Sequence, residues 1–127
     1  MGDTGPDAVE GKGKLRALWT RVAPLVREHT LHAIFLEASY PSDRPDEKLF
    51  GHLTPRWVNA ELGVLASLVG GDDPAHALRG LPVVITHIKP TLVRGETPRA
   101  RIERELRETN PYGVRFIVAT QGEKLSL

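Results

Sequence analysis

Apolar residues recur along this chain at two different periods. From Lys14, the positions Leu15, Leu18, Trp19, Val22, Leu25 and Val26 fall three and four apart, the stripe of an amphipathic helix. Pro24 interrupts that stripe and is expected to kink or shorten the helix, because proline removes a backbone donor and crowds the preceding turn. Residues 31–36 form a short apolar run, interrupted only by His32, that fits a buried strand. Polarity returns over 39–54, with Pro41 and Pro45, and a connection of that length in a compact domain tends to carry function. Thr54-Pro55 then supplies a hydroxyl cap and a proline at the first helical position. Trp57, Val58, Leu62, Leu65, Leu68 and Val69 mark the buried face of that helix, and Gly70-Gly71 ends it.

The pattern repeats once more. Residues 81–86 read as a second strand, and Thr97-Pro98 opens a helix that carries the charge pairs Arg101/Glu105, Glu103/Arg107 and Arg104/Glu108 on a solvated face. Asn110-Pro111 stops it, 114–119 is a third strand, and Gly122 permits a turn into a short last strand at 123–127. Residues 1–13, with four glycines and a proline, read as a loop. Helix, strand, helix, strand, helix, strand, strand is an α/β order, with a largely parallel sheet and crossover helices.

Composition narrows the function classes. A chain of 127 residues is one domain at most. Its net charge of +1 does not point to a nucleic-acid polymer or an anionic membrane as partner. There is no cysteine, so any metal must be held by His, Asp or Glu. No apolar run approaches the ~20 residues of a membrane span. The polar, glycine-rich first residues show no signal peptide, so a cytoplasmic location is expected, with the periplasm open if the natural start lies upstream.

Four ionisable side chains stand where α/β proteins build sites, at strand ends and helix starts. His87 follows the apolar run Val83-Val84-Ile85-Thr86 and either caps that strand or belongs to a site at its carboxyl edge. Glu37 closes Ile34-Phe35-Leu36, as a solvated carboxylate or as a group that orients an imidazole or binds metal. His52 lies between Gly51 and the Thr54 cap, where a helix start favours anions and suits a phosphate pocket, or it helps to cap the helix. Asp3 sits in a terminal segment where spacing alone indicates a solvated residue. His29, His32 and His76 read as solvated or satisfied histidines, and Lys89 as a solvated lysine or a phosphate contact beside His87. His-x-His, His-Glu-x-x-His and the phosphate-loop motif are all absent.

Four blocks carry a resemblance. Gly2-Asp3-Thr4-Gly5-Pro6-Asp7, Ile34-Phe35-Leu36-Glu37-Ala38-Ser39-Tyr40-Pro41, Leu49-Phe50-Gly51-His52-Leu53-Thr54-Pro55 and Val84-Ile85-Thr86-His87-Ile88-Lys89-Pro90 resemble, in order, the class II cyclic-nucleotide phosphodiesterases of the metallo-β-lactamase-like superfamily. Val114-Arg115-Phe116-Ile117 with Gln121-Gly122-Glu123 resembles the last block of that family. The resemblance implies the C-terminal half of an αββα sandwich, with residues 1–127 as a single partial domain. It implies that Asp3 and His87 are metal ligands of a site holding two Zn²⁺ or similar divalent ions in the complete enzyme. Glu37 would support His52, which would serve the leaving group. The superfamily's His-x-His-x-Asp-His motif has no counterpart here and belongs to the half before the bridging aspartate. The expected activity is hydrolysis of 3′,5′-cyclic AMP to 5′-AMP, with the cyclic nucleotide as small-molecule partner and a missing N-terminal half as the source of the other ligands. The isolated chain is expected to be inactive. Two other readings stay open: a non-catalytic, partner-dependent half-domain, and a hydrolase of another phosphodiester such as precursor RNA.

Overall fold

Three parallel strands lie side by side in chain order: β1 (Ile34–Glu37), β2 (Pro82–Thr86) and β3 (Arg115–Val118). The computed structural model describes residues 5–92 and 94–127. Register pairs Ile34 with Val83 and Glu37 with Thr86 across the first ladder, and Pro82 with Arg115 and Ile85 with Val118 across the second. The helices α1 (Asp7–Glu10), α2 (Lys14–Arg27), α3 (Pro55–Gly70) and α4 (Pro98–Glu108) complete the fold. The crossovers through α3 and α4 step in the same direction across the sheet, and right-handed crossovers of that kind place both helices on one face.

That face holds the core. Leu15, Trp19, Ala23 and Val26 of α2 meet Val58, Leu62, Leu65 and Ala66 of α3 and Ile102 and Leu106 of α4, all over Ile34, Leu36, Val83 and Ile85. Each fully buried leucine contributes about 1.5–3 kcal/mol. The opposite face carries the row Phe35, Val84 and Ile117. Val84 is buried, whereas Phe35 is 45% exposed. One sheet with one helical layer is half of a sandwich.

Local chemistry sets the helix ends. The Thr54 hydroxyl accepts from Trp57 N at 3.4 Å and the Thr97 hydroxyl from Ala100 N at 3.1 Å, with Pro55 and Pro98 as first helical residues. Gly71 ends α3 at a φ of 54°, in the left-handed region that glycine adopts without steric cost. Arg101 and Glu105 pair at 3.0 Å and Arg104 and Glu108 at 3.5 Å. Arg104 also binds Glu96 at 2.9 Å, and this hydrogen bond holds the Glu96 carboxyl below its ordinary value of 4.5. Among the described residues, no helix is long and apolar enough to cross a membrane.

Three expectations change. Residues 1–13 were expected to be loop, but Asp7–Glu10 forms a helical turn. The cause is a pair of carboxylates. Asp7 accepts from Leu15 N at 3.0 Å and Arg16 N at 2.7 Å, capping α2 where Gly13 has no side chain to do so. Glu61, buried in α3, accepts from Trp19 Nε1 at 3.0 Å and Asp7 N at 3.2 Å, and so fastens the turn to the core. Second, α2 runs through Pro24 to Arg27. Proline there forfeits one bond in the last turns, and buried Ala23 and Val26 hold the helix in the core, where α2 packs against α3. Third, no strand forms at 123–127. The turn exists, with Glu123 N bonded to Thr120 O at 3.0 Å. The tail beyond it is mostly exposed and buries too little to offset the entropy of ordering.

Candidate active site at the carboxyl edge of the sheet

Glu37 ends β1 on the face away from the helices, yet its side chain is fully buried. An isolated buried carboxylate is costly, so its partners matter. His52 Nδ1 lies 2.8 Å from Glu37 Oε2. The Ser39 hydroxyl lies 3.0 Å from the same oxygen and 2.9 Å from the His87 carbonyl, so its single proton is shared between two acceptors. His52 and His87 stack with ring centroids 5.5 Å apart and planes at 26°. Tyr40 meets His52 edge-on at 5.9 Å.

The backbone explains the convergence. Beyond their ends β1 and β2 keep bonding, through Ala38 N to Thr86 O at 3.2 Å and Lys89 N to Ser39 O at 3.1 Å. The long loop returns to the same place, because Ser39 N donates to Leu53 O at 3.0 Å. Phe50 and Gly51, at φ 50° and 78°, make the tight turn that sets His52 against Glu37 just before the Thr54 cap. His87 itself has a φ of 60°, a left-handed conformation that costs a non-glycine residue about 1–3 kcal/mol and is typical of functional positions.

The carboxylate at Nδ1 fixes the orientation of the His52 ring, and Nε2 is its second ring nitrogen. One donor atom each from Glu37, His52 and His87 lies within 4.8 Å of the others, so the trio also has the spacing of a cation site. Open clefts flank the trio. One of about 350 Å³ touches Thr86, His87, Thr97 and Arg99, and one of about 360 Å³ touches Tyr40, Arg44 and Lys89.

Glu37, His52 and His87 are thus brought together from three separate segments. Asp3 lies outside the described residues. Lys89, expected to be solvated, is half-buried, with Nζ 5.7 Å from the Tyr40 ring centroid. His76 pairs with Asp73 at 2.9 Å on an exposed turn, apart from the trio. Sequence reasoning passed over Ser39. The signal was its position two residues after Glu37, which on extended chain puts both side chains on one side.

A family model for the class-II cAMP phosphodiesterases matches residues 1–122, and the chain belongs to that family. A probable 3′,5′-cyclic-nucleotide phosphodiesterase of Yersinia pestis is 44% identical over 97% of this chain and 35% of its own length. A 3′,5′-cyclic-nucleotide phosphodiesterase of Aliivibrio fischeri is 43% identical over 98% of this chain and 37% of its own. The fold is similar to the crystal structure of unliganded yeast PDE1, with a TM-score of 0.71 and 33% identity, covering 85% of this chain and 30% of that one. The chain therefore spans about a third of the length of the curated relatives it matches.

Proposed function

We propose that this chain is the C-terminal part of a metal-dependent hydrolase that opens 3′,5′-cyclic AMP to 5′-AMP. The observation that carries the reading is the buried Glu37–His52 pair at 2.8 Å, stacked on His87 at the carboxyl edge of a sheet. His87 and Asp3, with ligands from an upstream segment, would hold two divalent ions, zinc in our reading. When bound, these ions supply hydroxide at neutral pH and stabilise phosphoryl charge.

The chain's own residues do the rest. Attack at phosphorus breaks the bond to the ribose 3′ oxygen, and that oxygen needs a proton as it leaves. His52 donates it from Nε2. Glu37 holds the imidazole in place by Nδ1. Ser39 joins Glu37 to the His87 carbonyl, a hydrogen-bonded link between the support of the acid and the backbone of the metal ligand.

The test joins this chain to the upstream region of the Aliivibrio fischeri relative and measures release of 5′-AMP with zinc or manganese. The chimera should turn over cyclic AMP and residues 1–127 alone should not. His87→Ala in the chimera should weaken zinc binding and turnover together. Activity on another phosphodiester but none on cyclic nucleotides would favour the alternative substrate.

A second reading is favoured by the 4.8 Å clustering of donor atoms: Glu37, His52 and His87 themselves hold one ion. It requires residues 1–127 alone to bind zinc, and His52→Ala to abolish that binding.

A further inference from the structure

Phe50 breaks two ordinary rules at once. Its ring is 74% exposed, and its backbone is left-handed at φ 50°. A bulky residue at positive φ is a real outlier, and glycine would serve the turn at lower cost. An exposed ring repays none of that strain through core burial. Its recorded ring neighbour is Arg44, whose guanidinium carbon lies 6.0 Å from the Phe50 centroid and 4.2 Å from that of Tyr40. Arg44 Nε donates to Lys48 O at 2.9 Å, which holds the side chain in place. Among the described residues no carboxylate lies within ion-pair distance of it. Ring and guanidinium contacts therefore run from His52 through Tyr40 and Arg44 to Phe50, and Tyr40 and Arg44 line the cleft of about 360 Å³.

We propose that Phe50, backed by Arg44, is the platform on which the purine base of the nucleotide stacks while the phosphate lies at His52 and His87. The inference rests on the cyclic-nucleotide reading and deepens it, by naming what recognises the end of the substrate that does not react. A flat π-face and a guanidinium plane are the surfaces on which nucleobases stack. Stacking of this kind is tolerant of base identity, so adenine and guanine are both accepted at this position.

The experiment uses the chimera and compares binding of 5′-AMP with that of ribose 5-phosphate by calorimetry, a readout independent of turnover. Phe50→Gly removes the ring and suits the backbone. The affinity advantage of 5′-AMP over ribose 5-phosphate should shrink about tenfold, with no fall in Tm. Phe50→Trp should preserve the advantage. For cyclic AMP the loss should appear in KM rather than kcat. An unchanged affinity ratio in Phe50→Gly overturns the proposal. A fall in Tm with equal losses for both ligands overturns it too, because the ring then packs against the rest of the protein. A wild-type chimera that prefers neither ligand and cleaves only base-free phosphodiesters overturns the underlying reading, and this inference with it.

Discussion

Replacing Glu37 by glutamine tests whether His52 is held by a charge. The carboxylate is fully buried and accepts from His52 at 2.8 Å and from Ser39 at 3.0 Å. A glutamine keeps the volume and one acceptor but brings two N–H donors into a space arranged for acceptance. A hydrogen bond involving a charged group contributes about 1.5–3 kcal/mol, so Glu37→Gln should destabilise by about 2 kcal/mol. Glu37→Ala removes both acceptor oxygens from buried partners and should cost about 3–5 kcal/mol. In urea unfolding at pH 7, a 2 kcal/mol loss moves the midpoint by roughly 1 M at an unchanged slope. A double-mutant cycle with His52→Ala should give a coupling energy of about 0.5–3 kcal/mol. If Glu37→Gln unfolds at the wild-type urea concentration and the cycle shows no coupling, the pair is not what fixes His52, and the mechanism loses its acid. In the chimera the same substitution should lower kcat for cyclic AMP more than it raises KM.

Ser39→Ala should destabilise by about 1–2 kcal/mol by urea titration, since it leaves the buried Glu37 one donor short; a neutral result would mean that the hydroxyl only bridges by chance. Trp19→Phe leaves Glu61 Oε2 without its 3.0 Å indole donor, so it should cost about 1–3 kcal/mol and speed proteolysis within residues 5–13. Equal cleavage rates in variant and wild type would count against the anchor. The lowered carboxyl of Glu96 contributes stability that is present above 4.5 and lost as pH falls through the lowered value, so Glu96→Gln should flatten that part of the acid limb. An unchanged acid limb would show that the Arg104 contact carries no linkage.

Periodicity made the layout legible. Apolar runs placed three parallel strands and apolar stripes placed the long helices, because each element buries a continuous face in one core. Strand ends shifted by at most three residues, as at 31–36, where Leu31 only packs beside the core and pairing begins at Ile34. The failures were of another kind. The Asp7–Glu10 turn depends on Glu61, a residue 54 positions away in sequence, and no local window contains that partner. The tail at 123–127 follows a turn at Gly122 and alternates polar and apolar positions over Lys124-Leu125-Ser126-Leu127, but a turn and an alternation do not supply a neighbouring strand. In the site, Glu37 and His87 were legible as the ends of apolar runs and His52 as a residue before a helix cap. Their meeting was not, because it depends on a turn of two left-handed residues folding the long loop back onto β1.

The bonds that continue past the strand ends, Ala38 to Thr86 and Lys89 to Ser39, bear on how the protein tolerates insertions and deletions. Glu37 and His87 are placed by counting residues along two paired strands. A single residue gained or lost within 34–37 or 82–86 would turn Glu37 toward the helices or carry His87 out of reach. The loop is different: its two ends are tied to the sheet edge, while Asp46 between them accepts from Arg56 and Trp57 of α3 at 2.8 Å each. Length changes between Arg44 and Lys48 would alter the Asp46 contacts with α3 and the Arg44–Lys48 bond without shifting the strand register that sets Glu37 and His87. Lineages that resize this loop can therefore reshape the mouth of the site while its chemistry keeps its spacing.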